Sequence, residues 1–337
     1  MTIGRFLRRL VDLLPEPSLR TQRVLAAAVI VTQGFISVTG AIVRVTASGL
    51  GCPTWPQCFP GSYVPVAVTE VPRLHQAIEF GNRMVTFAVV IAAILAVLAV
   101  TRARRRTEVL VYAWLMPAST VVQAVIGGIA VRTGLAWWTV AVHLLVSMLM
   151  VWLAVLLYVK VGEPDLAGVV HRRAPAALRG LTLLSAVTLS TVLVTGTLVT
   201  AAGPHAGDKS TDRTVPRLKA EVVVLAHLHE SLLIGFIGLL IGLGFGLVAV
   251  QAARPVLVRL AVVIALAVAQ GLVGVVQYFT GVPAALVTLH VAGAVLCTAA
   301  TAALWASMRQ RTEPQPVQGS LDAQREPALP GGAFRGA

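Results

Sequence analysis

Gln123-Ala124-Val125-Ile126-Gly127-Gly128 leads, twenty residues after its glutamine, to Val142-His143-Leu144. Gln270-Gly271-Leu272-Val273-Gly274-Val275 leads over the same interval to Leu289-His290-Val291. Both stretches lie in apolar runs long enough to cross a bilayer, which takes about 20 residues of helix. A shorter echo pairs Thr39-Gly40-Ala41-Ile42-Val43 with Thr195-Gly196-Thr197-Leu198-Val199. The chain therefore reads as two halves of one fold, each carrying an imidazole at matched depth. Ionisable groups in lipid are costly and as a rule functional. One that recurs in register points to a ligand for a metal or a porphyrin iron.

Hydrophobic residues make up 57% of the 337 and charged residues 12%, with a mean hydropathy of +0.83. A soluble domain carries about 25% charge, so this is an integral membrane protein. Eight runs qualify as spans: 24–43, 76–100, 109–130, 139–160, 181–201, 222–250, 260–278 and 286–307. The first is long enough to span and is followed by no small-residue cleavage site, which excludes a cleaved signal peptide. The expected fold is all-α, with eight transmembrane helices forming two four-helix bundles as parallel repeats and both termini cytoplasmic. Residues 1–23 form a basic cytoplasmic N-terminus, 24–160 the first bundle, 161–180 a polar cytoplasmic linker, 181–307 the second bundle, and 308–337 a disordered cytoplasmic tail rich in Pro, Gly, Gln and Arg. Four helices return the chain to its starting side, so the bundles relate by a pseudo-two-fold axis along the membrane normal.

The net charge of +13 does not mark a nucleic-acid groove. With the N-terminus in the cytoplasm, nineteen of the 27 Lys and Arg fall on the cytoplasmic side, the asymmetry of the positive-inside rule. The partner that this composition implies is the lipid bilayer.

Cys52 and Cys58 bracket Pro53-Thr54-Trp55-Pro56-Gln57 in the first outer loop. That topology puts them in an oxidising compartment, where a disulfide persists. Two free thiols are the alternative, and the bridge's role, structural or redox, stays open. Cys297 falls inside the last helix and reads as a small packing hydrophobe.

Counting inward from the outer helix ends brings His143, His290, His227, His229 and the group His75, Glu79, Asn82 and Arg83 into the outer half of the bilayer. The last four are spaced 4, 3 and 1 and form one stripe of the second helix. Glu79 and Arg83 can pair at i,i+4, either as a structural ion pair or as a carboxylate facing a bound molecule. His227 and His229 diverge by about 200° around their helix, so only one can be a ligand. A membrane haem held by two imidazoles needs one from each of two adjacent helices at equal depth, which His229 and His290 supply. In the first half His143 is met by Asn82 instead. Arg44, at the outer end of the first helix, is a candidate partner for propionate groups.

At these residues the chain resembles the haem A synthase family. Thr39-Gly40-Ala41-Ile42-Val43-Arg44, running into Ser48-Gly49-Leu50-Gly51-Cys52-Pro53-Thr54-Trp55-Pro56-Gln57-Cys58, is similar to its first helix and cysteine loop, and Glu79-Phe80-Gly81-Asn82-Arg83 to its second-helix motif. The resemblance covers about residues 24–307. It implies oxidation of the C8 methyl of haem O to the formyl of haem A, through hydroxylated intermediates, for terminal oxidases. It also implies a haem b cofactor in the C-terminal bundle on His229 and His290, substrate haem O in the N-terminal bundle on His143, and Glu79 as the catalytic carboxylate. His75, Asn82, Arg83 and Arg44 would be secondary contacts of the haem groups. Haem O would be handed over by a haem O synthase. The electron donor, the source of the formyl oxygen and the oligomeric state, a homo-oligomer included, are not specified.

The chain departs from the family pattern at two points. The second-helix motif of the family reads Glu-x-x-His-Arg, where this chain has Asn82, and the third outer loop lacks the cysteines of many members. Two other functions share the broad features: a di-haem b cytochrome relaying electrons from quinol, and a parallel-repeat membrane transporter. Glu79 and the unequal halves weigh against simple relay, and a transporter would be colourless.

Overall fold

Every expected span is a helix in the computed structural model, which describes residues 11–68, 71–165, 169–209 and 214–312. The helices are α1 (Leu19–Val45), α2 (Arg73–Arg102), α3 (Thr107–Arg132), α4 (Trp137–Val161), α5 (Ala176–Ala202), α6 (Val222–Ala249), α7 (Arg254–Phe279) and α8 (Ala284–Ser307). All eight are long and apolar enough to cross a membrane. In hydrocarbon a backbone must satisfy its own polar groups, and the helix does so within one segment. The ends are set locally. Ser18 accepts from the amide of Thr21 at 3.1 Å ahead of α1, and prolines at 72, 175 and 283 stand immediately before α2, α5 and α8. A proline there cannot continue a helix backward, and it loses no internal hydrogen bond.

Packing repeats with the sequence. The first four helices form a closed ring in which each touches the next and α4 returns to α1; α5 to α8 do the same. The bundles meet through α1–α8, α4–α5 and α4–α8. Exchanging the halves maps this contact set onto itself, as a pseudo-two-fold axis beside α4 and α8 requires. The turns repeat too. Gly134 and Leu135 have positive φ between α3 and α4, as do Gly281 and Val282 between α7 and α8. Leu135 closes its turn on the carbonyl of Ala130 at 2.8 Å, and Val282 closes its own on Gln277 at 2.8 Å. A left-handed backbone is rare for leucine and rarer for β-branched valine, so its recurrence marks a shared tight corner.

Each bundle has its own apolar core near the end opposite the cysteine loop. One is built around Val29, Ala93, Met116 and Leu157, the other around Phe236, Leu240, Leu243 and Val263. Glu79, Asn82, Arg83, His143, His229 and His290 lie toward the other end of their helices, where the two long loops join: the amide of Gly49 donates to the carbonyl of Gly207 at 2.8 Å.

One expectation is corrected. The tail was expected to be irregular from 308, but β1 (Val169–Arg172) pairs antiparallel with β2 (Arg309–Thr312). The linker thus supplies an open strand edge on which the first residues after α8 complete their backbone hydrogen bonds. The remainder of the tail, 313–337, lies outside the described residues.

Candidate functional site

A cavity of about 500 Å³ opens in the N-terminal bundle, within the range of small-molecule and cofactor sites. Glu79, Asn82 and Arg83 reach it from α2, His143 from α4 and Arg44 from α1. Its floor and walls are mostly apolar, and two residues of α8, Val287 and Val291, close the side toward the other bundle.

The roof is the cysteine loop. Cys52 and Cys58 are joined in a disulfide, and Trp55, Pro56 and Tyr63 face the cavity. Arg83 fixes this loop from below, donating to the carbonyls of Gln57 at 3.2 Å and of Cys52 and Thr54 at 3.0 Å. The same guanidinium lies 3.1 Å from Glu79 Oε1. Glu79 is 7% exposed, and a buried carboxylate needs such a partner. Arg83 is therefore a bracket that ties carboxylate to roof. Trp55 seats against α3 at Gly128, where any Cβ would overlap the indole, and Arg132 caps its ring at 5.8 Å.

Two guanidiniums converge beside this roof. Arg44 donates to the carbonyls of His205 at 2.9 Å and Thr200 at 3.0 Å, and Arg217 donates to the same two oxygens and to that of Gly203. Among the described residues neither has a carboxylate partner. Burial holds Arg217 below the usual arginine pKa. Sequence reasoning named Arg44 but missed Arg217, because the fold of the second long loop brings it there and no local pattern announces it.

The C-terminal bundle has a different arrangement. The rings of His229 on α6 and His290 on α8 lie 6.2 Å apart between centroids, inclined at 65°. Two imidazoles on one metal, at about 2.0–2.1 Å per bond, place their centroids roughly that far apart. His229 Nδ1 donates to the carbonyl of Val192 at 3.0 Å and sits 3.2 Å from Thr195 Oγ1. That contact fixes the tautomer and leaves Nε2 as the lone-pair nitrogen, the arrangement of a metal-binding histidine. His290 Nδ1 is buried without a hydrogen-bond partner. Among the described residues no group of three or more His, Cys, Asp or Glu converges as a site for a bare cation. Paired imidazoles without a third donor suit an iron already held by a macrocycle. These residues fit a haem.

The repeated motif now has a physical meaning. His143 lies against α3 at Gly127, where an added Cβ would stand 3.4 Å from Cε1, and His290 lies against α7 at Gly274, where it would stand 3.7 Å away. In both halves the glycine four residues after the glutamine lies against the imidazole twenty residues after it, at a distance where a Cβ would make ordinary van der Waals contact.

Two other sequence candidates resolve. His227 is exposed on α6 while His229 turns inward. His75 is not among the residues around the cavity: its Nδ1 contacts the carbonyl of Ala47 at 2.9 Å. His75 shares the stripe of Glu79, Asn82 and Arg83, but at the outer end of α2 the entering loop takes that histidine as its anchor.

Comparison with known proteins agrees with this picture. Residues 23–216 match the model of the COX15-CtaA family, described as cytochrome oxidase assembly protein. The chain is 30% identical over 108 residues to a protein named heme A synthase from Geobacillus thermodenitrificans, covering 32% of each. It is 31% identical over 106 residues to another of that name from Geobacillus kaustophilus (strain HTA426), covering 31% of this chain and 32% of that protein. These alignments span about a third of each curated relative. Eight spans and bacterial relatives mark a multi-pass plasma-membrane protein.

Proposed function

The chain belongs to the COX15-CtaA family of cytochrome oxidase assembly proteins, and from that premise we propose that it is a haem A synthase, oxidising the C8 methyl of haem O to a formyl group. The observation that carries this reading is the division of labour between the bundles. One holds two facing imidazoles. The other holds a roofed cavity of about 500 Å³ lined by one imidazole and a buried carboxylate.

His229 and His290 would hold haem b in the C-terminal bundle, which when bound supplies one-electron transfer. His143 would take the iron of substrate haem O in the N-terminal cavity. Arg44 stands at the cavity's outer rim, and Arg217 beside it adds positive charge where propionates would emerge. Glu79 accepts a proton from, or stabilises positive charge developing at, the methyl carbon under oxidation. Arg83 keeps that carboxylate in place and closes the disulfide loop above it, which excludes water and strengthens electrostatics inside. In this reading the loop side faces the cell exterior, and haem O arrives through the bilayer from a haem O synthase.

The test is expression in a host that supplies haem O, followed by extraction and chromatography of the pigments. Haem A should accumulate with the native chain and not with Glu79→Gln. Unchanged pigment alongside abundant protein would instead favour an electron-relaying cytochrome.

A further inference from the structure

The two bundles correspond residue for residue at one decisive point. In the C-terminal bundle, Thr195 on α5 contacts His229 on α6 at 3.2 Å. In the N-terminal bundle, Thr39 on α1 contacts Asn82 on α2, its hydroxyl donating to Oδ1 at 2.7 Å. Thr39 and Thr195 are partners in the repeated Thr-Gly pair. Asn82 and His229 are separated by 147 residues, the interval between Gln123 and Gln270 and between His143 and His290. Asn82 therefore occupies the place of the second axial imidazole.

A carboxamide cannot fill that role. It has no imidazole nitrogen, its amide nitrogen has no available lone pair, and its oxygen suits harder cations than a porphyrin iron. It is also shorter. His75 does not substitute, since its Nδ1 is engaged by the Ala47 carbonyl outside the cavity. Among the described residues around the cavity, His143 is the only histidine. With Oδ1 accepting from Thr39, the Asn82 Nδ2 group remains a free donor on the cavity wall.

We propose that the N-terminal bundle holds its iron porphyrin by His143 alone and keeps the opposite face as a binding site for a small diatomic or anionic ligand, with the Asn82 amide as its hydrogen-bond donor. This rests on the haem reading above and goes beyond it. His229 and His290 would hold the C-terminal iron between them and leave it no such site, so the two halves would differ in what they admit.

Spectroscopy of the full-length protein, purified from a host that makes haem O, tests this without reference to turnover. Pigment extraction counts the haem groups, and carbon monoxide added to the reduced protein, or cyanide to the oxidised, reports open coordination positions. The expected result is two haem groups per chain, of which one takes carbon monoxide. Asn82→His should abolish that binding and turn the second haem low-spin at unchanged haem content. Asn82→Ala should keep carbon monoxide binding but raise the C–O stretching frequency and weaken cyanide about fivefold, the effect of one lost hydrogen bond. Two low-spin haem groups in the native chain, neither taking carbon monoxide, would overturn the open face and leave the haem reading intact. Carbon monoxide binding unchanged in Asn82→His would overturn the assignment of Asn82 to that face. A native chain with no porphyrin in the N-terminal bundle would overturn both.

Discussion

Thr39 and Thr195 hold equivalent places in the two bundles, yet one contacts a carboxamide and the other an imidazole. The neighbours on the same helices diverge as well. Asn82 is preceded by Glu79 and followed by Arg83, both bound into the cavity and its roof, while His229 has Ala226 and an exposed Glu230 in those places. Around these differences the frame is held constant, down to the left-handed residues in the turns. Duplication preserved the packing and altered the chemistry at a handful of side chains, so each half serves as a control for the other.

The largest effect should come from the closed half. His290→Ala removes one of two expected axial ligands and should empty the C-terminal site, read as loss of one haem per chain. His143→Ala should spare that haem and release only the substrate. If both variants lose the same pigment, the halves are not independent. Next comes Glu79→Gln, which keeps the shape of the side chain but not its charge. Formation of haem A should fall about 100-fold or more with both haem groups retained, measured by chromatography of extracted pigment. The Ala226 side of the comparison predicts no such carboxylate requirement in the other bundle.

A smaller effect concerns the disulfide-bridged roof of the N-terminal bundle. Cys52 and Cys58 are six residues apart, and a bridge closing so short a loop contributes about 2 kcal/mol. Replacing both by serine should loosen the lid, seen as faster proteolysis of the loop and weaker retention of haem O, with the C-terminal haem spectrum untouched. The smallest effect separates two matched glycines. A Cβ at Gly196 would stand 3.0 Å from His229 Cε1, whereas one at Gly40 meets nothing within 4 Å. Gly196→Ala should tilt His229 at a cost of roughly 1 kcal/mol and shift the visible bands of the C-terminal haem. Gly40→Ala should leave those bands unchanged.

The spans, the duplication and the inward histidines were legible because each rests on local periodicity or on a repeat interval. Gly127 and Gly274 were visible as a pattern, but that each lies against the ring of His143 or His290 shows only in the packed helices. The function of Arg83 was only half visible. Its spacing from Glu79 announces an ion pair, while its bonds to Cys52, Thr54 and Gln57 depend on how the loop folds back. Arg217 and His75 show the same limit from opposite sides. A loop carries the first toward Arg44, and another loop draws the second away from the cavity. The β1–β2 pair joins segments 140 residues apart, from Val169–Arg172 to Arg309–Thr312, which no local signal encodes.

Helix α8 is shared property. His290 looks into the C-terminal bundle, while Val291, the very next residue, forms part of the N-terminal wall. With haem groups in both pockets, they would be separated by a partition one helix thick, about 10 Å across. Charge leaving one centre for the other would need no mobile carrier and no domain movement, only the peptide between two neighbouring residues. In that reading the duplicated architecture would double as a fixed wire, its length set by the close approach of α8 to α1 and α4.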